Sequence, residues 1–254
     1  MSLHFRSVFR SPTDSAFAQF NASTITFSDC KISEFSSNVF LGIKGEETNV
    51  IFEDSILSVI NTINLELESV KLKSLLFKSI QFDKCKEDWN TTCPAYFQFL
   101  NISVVELAIF YDCVMNFNDL RYEEWGMDIR DAKIVKFQKS KLIQIREQSM
   151  RIRSKLVVFE DSELTSIRTG GIVITHSENV TFYKSVLDDI QEEGIKSTSG
   201  TVNIIDSVLV EPQRKALIAL VGAEDTSGLT VSNLTLDNPA RGALLTEFKY
   251  GEFI

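Results

Sequence analysis

The densest chemistry in this chain lies in DDIQEEGIKS at 188–197, where Asp188, Asp189, Glu192 and Glu193 crowd together ahead of Lys196. Two carboxylates about 5–10 Å apart, one acid and one base or nucleophile, are what glycoside hydrolysis uses. A solvated charged turn has the same composition. Upstream, short alternating segments direct Gln98, then Asp128 and Arg130, then Arg151 and Arg153, then Val173 and Thr175, then Lys196 and Thr198 outward. Guanidinium and ammonium groups pair with uronate carboxylates, and a calcium-bridged lyase needs clustered acids. The same row also reads as a surface ladder of mixed charge, with Asp128, Arg130 and Glu147 as structural pairs. The candidate catalytic residues are therefore Asp188, Asp189, Arg130, Arg151, Arg153 and Lys196. Ca²⁺ enters only in the lyase case; no metal site and no other cofactor is expected.

Histidine chemistry is scarce. His4 and His176 are the only two, which leaves little room for a His-rich metal site or a Ser-His-Asp relay. His176 falls in the turn after GIVIT. Trp89 and Trp125 sit in the loops CKEDWNTTC and RYEEWGMD, where a Trp could stack on a sugar, anchor a protein or fold back as a lid.

The elements that carry these residues emerge from a repeat. An apolar residue, any residue, Phe, any residue, Asp or Lys, Ser or Cys, any residue, then an aliphatic recurs along the chain. It reads ITFSDCKI at 25–32, VIFEDSIL at 50–57, AIFYDCVM at 108–115, VKFQKSKL at 135–142, VVFEDSEL at 157–164, VTFYKSVL at 180–187 and VNIIDSVL at 202–209. LTVSNLTL at 229–236 is a degraded copy. Alternation within each unit is strand geometry, with Val180, Phe182, Ser185 and Leu187 inward and a turn at Lys184. A second alternating stretch precedes most units: VFLGI, AYFQF, GMDI, SMRIR, GIVIT, GIKST and ALIAL. Residues 62–78 fit no rung.

The turn residue two after the Phe position reads Lys84, Asp112, Lys139, Asp161, Lys184 and Asp206 on successive units. Strict alternation of sign is what stacking at about 4.8 Å favours, since like charges there would repel.

Several strands per repeat and no helix describe a parallel β-helix. By these units the chain resembles the right-handed, pectin-lyase-like β-helix superfamily in architecture, with roughly eight to nine rungs expected. A leucine-rich-repeat solenoid is the alternative, suggested by ELTSIRTGGI at 163–172. The resemblance implies sugar polymers lying along a groove beside the first strand of each rung. The DDIQEEGIKS segment is faintly similar to the paired Asp near Ile-Lys in the pectin hydrolases of this fold. Their Asn-Thr-Asp, Gly-His-Gly and Arg-Ile-Lys elements are absent.

Organisation follows: one all-β domain over 1–254, with a poorly defined segment at 1–15, an inserted loop at 85–94 and an apparently uncapped C-terminal end. Cys30 and Cys113 take the inward Ser/Cys position as buried thiols. Cys85–Cys93 is expected to close the inserted loop as a disulfide, with Cys85–Cys113 as rival. Five sequons, at Asn21, Asn90, Asn101, Asn179 and Asn233, point to an extracellular glycoprotein. Residues 1–11 lack a secretory apolar core.

Net charge of -9 and a pI near 4.9 disfavour nucleic acid and anionic membrane as partners. No apolar run approaches the ~20 residues of a membrane span. With 44% hydrophobic residues and 19 Phe, the chain can bury a substantial core. The expected function is a non-catalytic extracellular module presenting a rigid face to a glycan or protein, or a structural part of a larger secreted or surface protein. A polysaccharide lyase or glycoside hydrolase acting on acidic glycans is the alternative.

Overall fold

The computed structural model describes residues 2–6, 8–10, 22–33, 48–58, 63–65, 72–83, 100–103, 105–117, 125–213, 217–219, 228–240 and 250–253. Among these, every regular element is a strand and every strand pairing is parallel. The chain is a parallel β-solenoid of about six turns, slightly fewer than expected, with shorter strand pairs continuing both sheets beyond them. The described residues contain no helix, so the leucine-rich-repeat alternative falls.

One coil shows how the repeat makes a rung. The strand Ile172–Tyr183 lies in the first sheet, and the chain turns at Lys184. It then runs through Val186–Ile190 in the second sheet and turns again at 191–194 before Ile195–Ile205. Lys184 takes a φ of +50°, the left-handed conformation that reverses direction in one step. Asp29, Asp54, Asp112, Asp161, Asp206 and Asn233 do the same on other rungs; Asp and Asn tolerate this region well. At the other corner Gly194 is required by space. A Cβ there would lie 2.9 Å from Ile190 Cγ2 and 3.1 Å from Ile167 Cγ2.

The paired alternating stretches are not separate strands. GMDI, SMRIR, GIVIT and GIKST open the long strands Met127–Gln138, Met150–Glu160, Ile172–Tyr183 and Ile195–Ile205. Register shifts between Ile129 and Ala132 and between Thr175 and Ser177 mark the joins. Asp131 and His176, at φ +56° and +57°, are the inserted residues. A one-residue bulge bends a strand without ending its pairing. His176 is thus an exposed bulge residue within a strand, not a turn residue.

The core is a set of stacked columns. Phe5, Phe27, Phe52, Phe77, Phe110, Phe137, Phe159 and Phe182 form one stack, with successive ring centroids 4.7–5.2 Å apart. From Phe27 onward these rings are buried. Fully burying one Phe side chain contributes about 1.5–3 kcal/mol. The rung spacing matches ring thickness plus a small offset, so one residue type repeats without a void.

Phe77 corrects the frame at 62–78. Leu72–Lys78 is a strand of the first sheet, paired on one side with Asn49–Glu53 and on the other with Val105–Tyr111. The repeat copy is therefore LLFKSIQF at 75–82, with Ser79 at the turn and buried Ile80 where Ser or Cys usually sits. Ser79, not Lys84, is the turn residue of that rung, at φ +52°. Lys84 lies outside the described residues, as do Cys85, Cys93 and the inserted loop. Within the segment 1–15, Ser2–Phe5 and Val8–Arg10 are strands, paired with Thr24–Ser28 and Lys31–Ser33.

A second column, inward at the turn, is polar. The Ser162 hydroxyl accepts from the Ser140 N–H at 3.2 Å and lies within donating distance of the Phe137 and Glu160 carbonyls at 3.1 and 2.9 Å. Ser140, Ser185 and Ser207 repeat this pattern. Buried polar groups must be satisfied, and this column does so rung by rung. Cys30 and Cys113 occupy the same column as buried thiols.

Candidate binding face

The outer face of the first sheet is built by alternation. Each strand that points Val, Phe and their equivalents inward presents three residues outward. On successive rungs the first of these is Ser74, Leu107, Ile134, Leu156 and Asn179, aligned by direct pairing. The second is Leu76, Ile109, Lys136, Val158 and Thr181. All are half-buried. Leu107, Ile109, Ile134, Leu156 and Val158 therefore form an aliphatic strip that is neither core nor fully solvated. Polar ladders bound it along the axis: Ser74 donates to Asn49 Oδ1 at 2.7 Å, and Asn203 donates to Asn179 Oδ1 at 2.8 Å.

Charged rows flank the strip. On one side Lys133 pairs with Glu106, and Lys155 with Glu178 at 3.3 Å. On the other runs the turn column, with Asp112, Lys139, Asp161, Lys184 and Asp206 on consecutive rungs. Their main-chain N–H groups each donate to the next rung, as Lys139 does to the Glu160 carbonyl at 2.9 Å. The lysines of this column also engage tyrosines. Lys139 Nζ is 3.4 Å from the Tyr111 hydroxyl, and Lys184 Nζ lies 5.0 Å from the Tyr183 ring centroid. Tyr183 holds the Lys184 ammonium above its ordinary range, with Asp161 and Asp206 adding to the effect.

The candidate catalytic residues divide into separate pairs. Asp128, expected outward, is buried beneath two arginines. Arg130 Nε donates to its Oδ2 at 2.7 Å, and Arg151 Nε donates to its Oδ1 at 2.9 Å. Burial pushes this carboxyl up, but the Arg151 and Arg130 hydrogen bonds outweigh it and hold the group below the usual range. Arg151 also lies 5.6 Å from the Trp125 ring centroid. Arg153 faces Asp131 at 3.7 Å.

Around DDIQEEGIKS, Asp189 pairs with Arg168 at 3.1 Å and Glu193 with Lys196 at 2.7 Å. Asp188 lies in the second sheet between Thr165 and Val210. Among the described residues no group of His, Cys, Asp and Glu is arranged to hold a metal ion. Gln98 and Trp89 lie outside the described residues.

Of the sequons, Asn21 and Asn90 are outside the described residues. Asn101 lies in the strand Leu100–Ser103. Asn179 is within a strand, with its Oδ1 accepting from Thr181 and Asn203. Asn233 occupies an exposed left-handed turn and donates to Asp206 Oδ1 at 2.9 Å.

No family model, no curated protein and no solved structure matches this chain. The aliphatic strip escaped sequence reading because its members look like ordinary strand residues. Only the register, by aligning Leu107, Ile134 and Leu156, makes them one surface.

Proposed function

We propose that this chain is a non-catalytic extracellular glycoprotein module that presents the outer face of its first sheet to a binding partner. The observation that supports this reading is the half-exposed aliphatic strip of Leu107, Ile109, Ile134, Leu156 and Val158 between two charged rows. Such a face, aliphatic but for Lys136 near its middle and charged at its rim, suits a protein partner. A glycan would be met instead by the Arg130, Arg151 and Trp125 end of the same sheet. Rigidity favours the role: stacked Phe rings and bridging serines hold each rung to the next, so little conformational entropy is lost on binding. The five sequons favour secretion.

A polysaccharide lyase or hydrolase on the same scaffold would use the acids of 188–193, with Arg130, Arg151, Arg153 and Lys196. The salt bridges made by Asp189 and Glu193 weigh against it. The test is incubation with a panel of polyuronates and neutral glycans, reading cleavage and retention separately. The expected outcome is no cleavage; new reducing ends or unsaturated products would overturn the proposal. In parallel, the chain expressed behind a signal peptide in a eukaryotic host should gain glycan mass. Unchanged mobility after enzymatic deglycosylation would refute the extracellular assignment.

A further inference from the structure

The first outward column has a symmetry of its own. Read along the axis it runs Ser74, Leu107, Ile134, Leu156, Asn179, polar at both ends and aliphatic between. Asn49 precedes it and Thr201 follows, extending the same order. The column is a palindrome about Ile134. A two-fold axis through Ile134 along its strand would lay this face on a second copy, because that rotation preserves position along each strand and reverses the rung order. Leu107 then meets Leu156 of the other copy, Ile134 meets itself, and Ser74 meets Asn179.

The charged row of Lys73, Glu106, Lys133, Lys155 and Glu178 obeys the same symmetry, whereas the turn column on the other flank brings Asp112 opposite Asp161. Lys73 comes opposite Glu178, and Glu106 opposite Lys155, each pairing occurring twice by the two-fold. Lys133 and Lys136, on the axis, face their own copies. We propose that this face is an isologous interface between two copies of the chain, centred on Ile134. Closed two-fold dimers are the commonest soluble assemblies, and stacked sheets pack about 10 Å apart with nearly aligned strands.

The size of the face sets its strength. Seven rungs at ~4.8 Å by about five residues at ~3.3 Å give on the order of 500 Å² per copy. The total of about 1,000 Å² sits at the lower limit of specific interfaces, so the dimer is weak and reversible.

Sedimentation velocity of the full chain from about 1 to 200 μM, a range that brackets micromolar affinity, reads this directly. The wild type should move from monomer to dimer as concentration rises. Ile134→Lys should stay monomeric, with at most a small fall in its thermal midpoint, since Ile134 is half-buried on the outer face rather than part of the core. Lys136→Leu should tighten association several-fold by removing the on-axis repulsion. The sharpest arm uses residues that cannot touch within one copy: Lys73 and Glu178 lie four rungs apart, about 19 Å. Glu178→Lys should weaken the dimer, and adding Lys73→Glu should restore it. This charge-swap arm also decides the matter if Ile134→Lys fails to fold. A wild type that remains monomeric throughout, a dimer untouched by Ile134→Lys, or no rescue by Lys73→Glu would overturn the interface.

Discussion

Arg151 and Asp128 occupy paired positions on adjacent rungs, and the arginine grips both oxygens of a carboxylate whose side chain is only 1% exposed. A residue whose position in the alternation marks it as outward is thereby turned into a buried ion. Arg130, on the same strand as Asp128, closes the other side. The group reads as a clasp between two rungs.

Asp128→Asn should therefore destabilise the fold, by about 2 kcal/mol given that both guanidiniums remain partly solvated. The pH dependence carries the signature. The folded carboxyl titrates below its unfolded value of about 3.9. Its contribution is full above that value and is lost as pH falls through the lower folded one. Chemical denaturation of both proteins between pH 2.5 and 7 should show their stabilities converging at the acid end.

Phe137 sits mid-stack, 4.7 Å from Phe110 and 4.9 Å from Phe159, with no exposed surface. Phe137→Ala should cost about 3–5 kcal/mol, because the rigid rungs above and below cannot collapse into the cavity. Phe137→Ile should lose less, since Ile204 fills the same column farther along. Urea midpoints of the three proteins would order them.

Ser162→Ala leaves the buried Ser140 N–H without its acceptor, which should cost about 1–3 kcal/mol. Ser162→Cys should cost less, because Cys113 already occupies this column and directs its thiol toward the Phe77 carbonyl at 3.4 Å. Equal losses in the two variants would show that a thiol cannot replace the hydroxyl at this position.

Burial pushes the Cys113 thiol up to about 12, so no reactive thiolate forms at working pH. Native protein treated with iodoacetamide at pH 8–9 should leave Cys113 unmodified, and denatured protein should be alkylated there. Peptide mapping distinguishes the two. Rapid native labelling would mean the rung around Cys113 opens readily.

Lys139 holds a left-handed φ of +52°, a conformation that costs most L-residues about 1–2 kcal/mol but suits Asn. Lys139→Asn should gain roughly 0.5 kcal/mol, after losing the Tyr111 contact and weak charge pairing with its neighbours. The gain should grow with salt. Lys139→Asp, destabilising by the alternation of signs alone, is offset by the same backbone preference. Melts at low and high salt separate the two effects.

Period-two alternation, the recurrent Phe and the turn residue after it were sufficient to specify a parallel solenoid from sequence. Each is a local requirement that every rung repeats, so it survives without knowledge of the neighbours. Where a rung departed from the pattern, sequence reading slipped: Ile80 in the serine position hid the copy at 75–82 and moved the frame to Phe82. Asp128 shows the other limit. Alternation marks it as outward, but a bulge at Asp131 and arginines from two strands decide that it is buried and charged. Leu107, Ile134 and Leu156 are separated by 22 to 27 residues and become one surface only through register. Register is set by how whole rungs stack, a tertiary property that no single repeat contains.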